Sequence, residues 1–450
     1  MPEQPKFAKP PVKSPIKSSA KKEPRVKDAR AIAHKILLKI TNESMSLEDA
    51  WAQTAEVNHL EQRDRSLARL LILTTLRQCG FIDYRIRQYA KTMQKLPLSA
   101  LMALRIGFTH ILFLHSPAHA VVNTCVNLLE ANDTVMRGLV NAILRKAAAN
   151  EKPVLDATET WQQSIPNWLL STWKKDYGLE NLRHIAKACL REPYLDITVK
   201  DKKEDWAKTL GATILPTGSL RLNHQDDITK LPGFAEGAWW VQDAAAAIPA
   251  MMAGDVKGKL VYDCCAAPGG KTAQFLAAGA KVVAIDQSDE RLKRLRENLQ
   301  RLKMNANILS QNILNFTPNN QADVIFLDAP CSATGTLRRH PDLMMHKNPN
   351  DASRLAMLQH SMLSHVAGLL KKDGLLIYAV CSIQNEEGAG VVDAFLKNNK
   401  NFQRMPITAA DIGGWQEGVT STGDLRTLPH YMQDFGGMDG FYAARLKKIA

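Results

Sequence analysis

The alternation of apolar and polar residues divides the chain into a helical part and a later part in which strands and helices alternate. Over residues 29–150, apolar positions recur at three- and four-residue steps, as in Ile32, Ile36 and Ile40. This period predicts amphipathic helices packed as one all-α bundle. From Trp239 onward, short apolar runs alternate with helical patterns, which predicts a parallel sheet covered by helices on both faces.

The strands of this predicted α/β domain, residues 236–450, stand out because both faces of a parallel strand are buried. They are the runs Leu260–Asp263, Val282–Asp286, Val324–Asp328 and Leu375–Val380. Ligands of such sheets collect at the carboxyl ends of the strands. Residues 151–235 combine a helix that begins near Ile165 and ends at Gly178 with short alternating runs. They predict a small α+β domain.

The charge of the chain favours a polyanionic partner. Lys and Arg number 58 against 45 Asp and Glu, a formal net charge of +13, which suits nucleic acid better than a cationic ligand. Residues 1–28 contain six prolines and few large apolar residues. They predict a basic, disordered tail that serves either for solubility or as an RNA-binding arm.

Cysteine spacing and hydropathy exclude several classes of protein. The seven cysteines are scattered and never spaced C-x-x-C, unlike a disulfide framework or a zinc site. No apolar run reaches the ~18 residues that span a bilayer, and no secretory signal pattern precedes the helical part. We therefore expect a cytoplasmic protein with no membrane anchor and no metal site.

A glycine-rich turn follows the first predicted strand. Its sequence, Asp263-Cys-Cys-Ala-Ala-Pro-Gly-Gly-Lys-Thr272, allows a ligand to approach the backbone and directs amide groups towards it. It resembles the phosphate-binding loop of NTPases, but Cys265 stands where that loop requires its first glycine. The next strand ends at Asp286, whose carboxylate can accept both hydroxyls of a ribose. These features favour S-adenosylmethionine (SAM) over ATP or NAD.

Two cysteines each follow a predicted strand, which places both at the carboxyl edge of the sheet. Cys331 lies in Asp328-Ala-Pro-Cys-Ser332, and Cys381 begins Cys381-Ser-Ile383. Thiols at such an edge, near helix N-termini, can ionise more readily than buried ones. A thiolate that adds to carbon 6 of cytosine makes carbon 5 nucleophilic towards a methyl donor, while Asp328 can hold the N3 edge. The alternative is that both cysteines are ordinary core residues.

These motifs resemble those of the NOL1/NOP2/Sun family of RNA cytosine-5 methyltransferases. The resemblance rests on Cys265–Lys271, Asp328–Ser332 and Cys381–Ile383, while Gly138–Arg145 resembles part of the NusB-like RNA-binding domain. It implies an all-α NusB-like N-terminal bundle, a small α+β middle domain and a C-terminal α/β Rossmann-like SAM-dependent methyltransferase fold.

The resemblance also implies roles for single residues. Cys381 would be the nucleophile, Cys331 would assist release of the methylated base, and Asp328 would contact the base or SAM. The remaining SAM contacts would come from Cys265, Ala266, Ala267, Pro268, Gly269, Gly270, Lys271 and Asp286. Asn312 stands where the family usually has an aspartate that accepts from the adenine amine, so we expect weaker SAM binding.

The implied substrate is small-subunit ribosomal RNA, with cytosine 967 of 16S rRNA as the target and no obligate protein partner. Arg338, Arg339 and His340 are placed to meet the RNA backbone, unless they form a solvated charged turn. Two other functions stay open. One is an NTPase, motivated by the Gly-Gly-Lys-Thr sequence, and the other is a non-catalytic RNA-binding factor in which the helical part binds RNA.

Overall fold

The computed structural model describes residues 28–223 and 227–450. Residues 1–27 of the predicted tail lie outside the described residues. Asp28 caps the first helix, because its carboxylate accepts a hydrogen bond of 3.0 Å from the amide of Arg30. The described helices do not include one that is long and apolar enough to cross a membrane.

The N-terminal helical domain confirms the predicted bundle. Helix α5 is buried around most of its circumference and packs against α1, α3, α4, α6 and α7. The apolar stripes of the surrounding helices therefore share one core. Helices α1 to α7 are Ala29–Glu43, Leu47–Ala52, Gln62–Arg77, Cys79–Tyr89, Leu98–Leu112, Ala118–Val126 and Thr134–Asn150.

The middle domain pairs helices with a small antiparallel sheet of strand order β2-β3-β1-β4. The predicted helix end at Gly178 is a kink with a φ of 77°, after which α9 continues. Strands β1 to β4 are Leu195–Val199, Thr213–Ile214, Leu220–Leu222 and Trp239–Val241, and helices α8 to α10 are Trp161–Ser164, Asn167–Cys189 and Lys203–Leu210.

Strand β4 belongs to the middle sheet rather than to the C-terminal domain in which its sequence was placed. Val199 pairs with Trp239, and Ile197 pairs with Val241. A three-residue apolar run fits a short antiparallel strand as well as a parallel one, so its pattern alone could not show which sheet it joins.

The C-terminal domain is a doubly wound sheet of strand order β10-β12-β9-β8-β5-β6-β7, with β11 beside β12. Its strands β5 to β12 are Leu260–Cys264, Lys281–Asp286, Asn307–Ser310, Ala322–Asp328, Leu370–Val380, Phe402–Arg404, Leu425–Thr427 and Phe441–Lys448. Its helices α11 to α16 are Ala244–Met251, Gly270–Ala277, Asp289–Arg301, Leu343–His346, Asn350–Gly368 and Ala389–Asn398.

The four predicted parallel strands are β5, β6, β8 and β9, which lie at the centre of this sheet. The chain moves outward from β5 to β7 on one side and from β8 to β9 on the other. The direction of winding thus reverses between β5 and β8, where doubly wound sheets leave a crevice for a ligand. The predicted Rossmann-like architecture is confirmed.

Candidate active site

The carboxyl ends of β5, β6, β8 and β9 bring the predicted site residues together. In the sheet, Cys264 pairs with Leu327 and Asp328 pairs with Ala379, so the turns after these strands begin at the same edge. They border a cavity of about 180 Å³. The predicted site residues on its walls are Cys265, Asp286, Asp328, Cys331 and Cys381. Further polar or sulfur-bearing wall residues are Gln287, Arg291, Gln311 and Met362.

The glycine-rich turn supports this cavity more than it lines it. Cys265 reaches the cavity wall, and burial raises the pKa of its thiol to about 12. Ala266 and Ala267 are buried beneath the turn, whereas Pro268 is exposed on its outer side. Gly269 has a φ of 102°, a conformation that side chains rarely adopt, and begins α12. Gly270 is the first residue of that helix.

Asp286 supplies an acidic group suited to ribose hydroxyls at the end of β6. One carboxylate oxygen accepts from the amide of Ser288 at 3.0 Å and the other from the amide of Ala267 at 3.2 Å. A carboxylate has about four acceptor positions, so capacity remains for a ligand. Its place on the cavity wall fits the adenosine part of SAM.

Asn312 lies outside the cavity wall. Its side-chain carbonyl accepts a hydrogen bond of 3.0 Å from the amide of Leu314 and caps a short 3₁₀ helix. The adjoining residues Gln311 and Ile313 line the cavity instead. The expected contact between Asn312 and adenine therefore stays a prediction.

Lys271 and Asp328 form an ion pair beside the cavity. The ammonium group lies 2.8 Å from the carboxylate and 5.3 Å from the centre of the Phe441 ring. Burial opposes the charge of Lys271, but Asp328 and the nearby Cys381 raise its pKa above the ordinary value. In a phosphate-binding loop this lysine must reach the phosphates. Its ion pair with Asp328 therefore weakens the NTPase alternative.

The two predicted cysteines are in contact, with 3.3 Å between the sulfur atoms of Cys331 and Cys381. The hydrogen bond to Cys381 and burial raise the pKa of Cys331 well above its ordinary value, and the carboxylate of Glu387 adds to this shift. Cys381 instead lies near the cations of Lys271 and Arg339. The two sulfurs therefore have different surroundings, with cations near Cys381 and a carboxylate near Cys331.

The predicted RNA-contacting residues differ in accessibility. Arg338 is only 1% exposed and donates to the carbonyl of Gly436 at 3.0 Å, so this guanidinium is buried away from the surface that RNA would meet. His340 is half-buried, and burial lowers its pKa. The side chain of Arg339 is 36% exposed and donates through Nε to Asp439 at 2.7 Å. Of the three, Arg339 best fits a contact with RNA.

Sequence reasoning missed Gln287 and Met362 on the cavity wall, and Glu387 behind it. Gln287 could have been found, because it directly follows the strand-end residue Asp286. Met362 comes from α15, a helix whose apolar positions look like ordinary core positions. Glu387 has the weakest signal, because a glutamate in a loop usually faces solvent.

Comparison with known proteins matches both ends of the chain to characterised families. The family described as 16S rRNA methyltransferase RsmB/F matches residues 250–447, and the NusB family matches residues 27–149.

Relatives match nearly the whole chain. It is 32% identical over 463 residues to ribosomal RNA small subunit methyltransferase B of Pasteurella multocida (strain Pm70), covering 96% of this chain and 98% of that protein. The protein of the same name from Vibrio cholerae serotype O1 (El Tor Inaba N16961) is 32% identical over 448 residues, covering 94% of this chain and 98% of that protein. The crystal structure of PH0851 superposes with a TM-score of 0.75 at 22% identity, covering 93% of this chain and 99% of that one, and supports the fold.

Proposed function

Since this chain belongs to the ribosomal RNA small subunit methyltransferase B family and uses SAM as its cofactor, we propose that it methylates carbon 5 of a cytosine in 16S rRNA through a covalent adduct with Cys381. The observation that carries this proposal is the contact of 3.3 Å between the sulfurs of Cys331 and Cys381, beside the Lys271–Asp328 ion pair. The assignment to cytosine 967 rests on the family resemblance alone, and the cytoplasmic location stays an expectation from the hydropathy and cysteine pattern of the sequence.

Cys381 acts as the nucleophile. Its thiolate adds to carbon 6 of the target cytosine, and the electron pair of the 5,6 double bond moves towards carbon 5. The cations of Lys271 and Arg339 lie near this sulfur. Asp328 holds the N3 edge of the base and stabilises the protonated adduct, while Lys271 fixes the orientation of that carboxylate at 2.8 Å.

Residues of the strand ends hold the cofactor. Cys265 and Asp286 border the part of the cavity that suits adenosine, and Gln311 is a further polar neighbour. Bound SAM supplies an electrophilic methyl group for carbon 5.

Cys331 assists release of the product. After methylation, a base takes the proton from carbon 5, the double bond re-forms, and the bond between carbon 6 and Cys381 breaks with the electron pair staying on sulfur. The raised pKa keeps Cys331 protonated. Its thiol, 3.3 Å away, can therefore donate a hydrogen bond to the departing thiolate.

Methyl transfer from labelled SAM to 16S rRNA tests this proposal. We expect Cys381→Ala to lose methyl transfer while SAM binding, measured by calorimetry, stays within about twofold. We expect Cys331→Ala to accumulate a covalent protein–RNA adduct that survives denaturing gel electrophoresis. Cys125→Ala, at a buried position in the helical domain, is the matched control. Full turnover by Cys381→Ala, or a methyl group mapped to any atom other than carbon 5, would contradict the mechanism.

A non-catalytic RNA-binding factor is the remaining alternative. In that case the unaltered protein would bind 16S rRNA but transfer no methyl group at any SAM concentration.

A further inference from the structure

A buried carboxylate lies between the two cysteine-bearing turns. Glu387 is 0% exposed. Each of its two carboxylate oxygens accepts two hydrogen bonds. Oε1 accepts from the amide of Ser332 at 2.8 Å and from Gln359 at 3.1 Å. Oε2 accepts from the hydroxyl of Ser382 at 2.6 Å and from that of Ser332. These four donors use the full acceptor capacity of a carboxylate.

The donors place Glu387 at the base of the cysteine pair. Ser332 directly follows Cys331, and Ser382 directly follows Cys381. One carboxylate therefore joins the turn after β8 to the turn after β9. The two serine hydroxyls also lie 3.1 Å apart, so the connection continues between the turns themselves.

A second set of contacts fixes the backbone of Glu387. The phenol of Tyr378 donates to the Glu387 carbonyl at 2.5 Å and to the side-chain oxygen of Gln359 at 3.0 Å. Gln359 lies on α15 and binds the carboxylate of Glu387, while Tyr378 lies on β9 and binds its backbone carbonyl, so Glu387 is held from a helix and from the sheet at the same time. Positions fixed by rigid elements in this way hold reacting groups accurately.

Burial of this carboxylate needs a reason beyond filling space. An ionised carboxylate loses its hydration when it is buried, and an apolar side chain of similar volume would avoid that cost. Among the described residues, Glu387 forms no ion pair within 4.0 Å that would offset the loss. The cost is met by four hydrogen bonds, three of which come from the residues next to the two cysteines.

We propose that Glu387 is a positioning residue that sets the distance between the sulfur atoms of Cys331 and Cys381. The inference rests on the proposed function, because it assigns Glu387 to the step in which one sulfur assists departure of the other. Without the carboxylate, the two turns keep their strands but lose the acceptor that Ser332 and Ser382 share.

Three variants test this role. Glu387→Ala removes all four hydrogen bonds. Glu387→Gln keeps one side-chain oxygen, which can still accept from the amide of Ser332 and from Gln359. Its new NH₂ group can donate to the hydroxyls of Ser332 and Ser382, because a serine hydroxyl can accept as well as donate a hydrogen bond. Glu386→Ala is the matched control, because Glu386 is the preceding residue of the same turn, carries the same charge and is exposed.

The distance between the sulfurs can be read without RNA or SAM. Dibromobimane becomes fluorescent when it joins two neighbouring thiols. The signal of the same protein with Cys331→Ser added is subtracted in each case, because that signal comes from the other cysteines. We expect Glu387→Ala to bridge at least tenfold more slowly than the unaltered protein. Glu387→Gln and Glu386→Ala should bridge within about threefold of it.

Multiple-turnover methyl transfer to 16S rRNA, which requires release of the methylated base, provides the functional readout. A misplacement of about 1 Å can reduce a rate about 100-fold, so we expect a loss of that size for Glu387→Ala with unchanged affinity for SAM. Glu387→Gln should recover most of the rate, which a general loss of stability would not permit. If Glu387→Ala does not fold, Ser382→Ala removes one of the four bonds and should slow bridging severalfold.

The outcomes separate the two proposals. Bridging and methyl transfer at the unaltered rate in folded Glu387→Ala, or in Ser382→Ala, would overturn the role of Glu387. Equal losses in Glu387→Gln and Glu387→Ala would also overturn it, because hydrogen-bonding geometry would then not be what matters. If the unaltered protein bridges its thiols but transfers no methyl group to RNA, the proposed function fails while the positioning of the thiols stands.

Discussion

At the scale of single residues, Asn312 offers a test of how this chain binds its cofactor. Its only side-chain acceptor atom already caps the amide of Leu314 at 3.0 Å. In Asn312→Asp, one oxygen can keep this cap while the second accepts from the adenine amine. A charged acceptor exceeds a neutral one by about 1 kcal/mol. We therefore expect about fivefold tighter SAM binding by calorimetry.

The control for this prediction is Asn315→Asp. Asn315 is the last residue of the same short helix and is exposed, so its replacement adds the same charge without adding an acceptor at the Asn312 position. Equal tightening in both variants would assign the effect to net charge, and no tightening in Asn312→Asp would remove residue 312 from the adenine site.

Asp263 predicts a pH dependence of stability. Burial raises its pKa from 3.8 to about 7, although the hydrogen bond from Thr272, at 2.5 Å, and the charge of Lys271 oppose the rise. Below pH 4 the folded and unfolded chains both hold this proton. As the pH rises towards 7 the unfolded chain releases it first, so the folded state loses stability. A pKa that differs by about three between the folded and unfolded states changes the free energy of unfolding by on the order of 4 kcal/mol.

Asp263→Asn lacks this titration. We expect its melting temperature, relative to the unaltered protein without SAM, to increase from pH 4 to pH 8. Asp255→Asn is the control, because Asp255 is exposed and should show a constant difference. A pH-independent difference for Asp263→Asn would mean that Asp263 ionises normally in the folded state.

Residue patterns along the chain could reveal the cysteine pair but not the buried residues around it, Arg338 and Glu387. Cys331 and Cys381 were predictable because each follows an apolar run, and adjacent parallel strands end at one edge. The burial of Arg338 was not predictable, because its hydrogen-bond partner, the carbonyl of Gly436, is 98 residues away along the chain. Glu387 looked like a surface charge for the same reason, since its donors from Ser332 and Gln359 come from other elements.

At the scale of elements, the contact between the middle domain and α13 depends on Gly237. A Cβ added there would lie 2.1 Å from the carbonyl oxygen of Arg301, which belongs to the last turn of α13. Arg301 in turn donates to the carbonyls of Phe234 and Trp239 at 2.9 and 3.0 Å. To make room for a Cβ at position 237, the turn would have to move away from the end of α13. That movement would break the hydrogen bonds of Arg301 to Phe234 and Trp239.

We expect Gly237→Ala to destabilise the protein by about 2 kcal/mol more than Gly254→Ala, as measured by urea unfolding. Both glycines have positive φ, 71° and 64°, so the backbone cost of alanine is shared. A Cβ at Gly254 meets no atom within 4 Å, which isolates the steric part. Equal losses would show that the turn moves away from Arg301 freely.

Strand prediction succeeded where both faces are buried, but the local pattern did not show which sheet β4 joins. The apolar runs of β5 and β8 are fully enclosed by helices, so hydropathy alone identifies them. Strand β4 is a short run at the edge of another sheet, and its register with β1 is fixed by contacts that the local pattern does not contain.

At the scale of the whole molecule, the helical domain contacts the segment that follows the Cys331 turn. Arg77, the last residue of α3, donates to the carbonyl of Arg338 at 3.1 Å, and the amide of Leu47 donates to Asp342 at 3.2 Å. Both acceptors belong to the segment that carries Arg339. The domain that matches the NusB family is therefore hydrogen-bonded to the segment that carries Arg339, the residue that best fits an RNA contact near Cys381.

This connection predicts that the helical domain holds the Arg339 segment in place for RNA. Arg77→Met keeps the buried length of the side chain but removes its donor, so amides of residues 334–342 should exchange hydrogen faster. The KM for 16S rRNA should rise severalfold while the affinity for SAM is unchanged, because the cavity near Asp286 is not touched. Arg63→Met, an exposed position on the same helix, is the control. Unchanged exchange together with an unchanged KM would show that the two domains act independently.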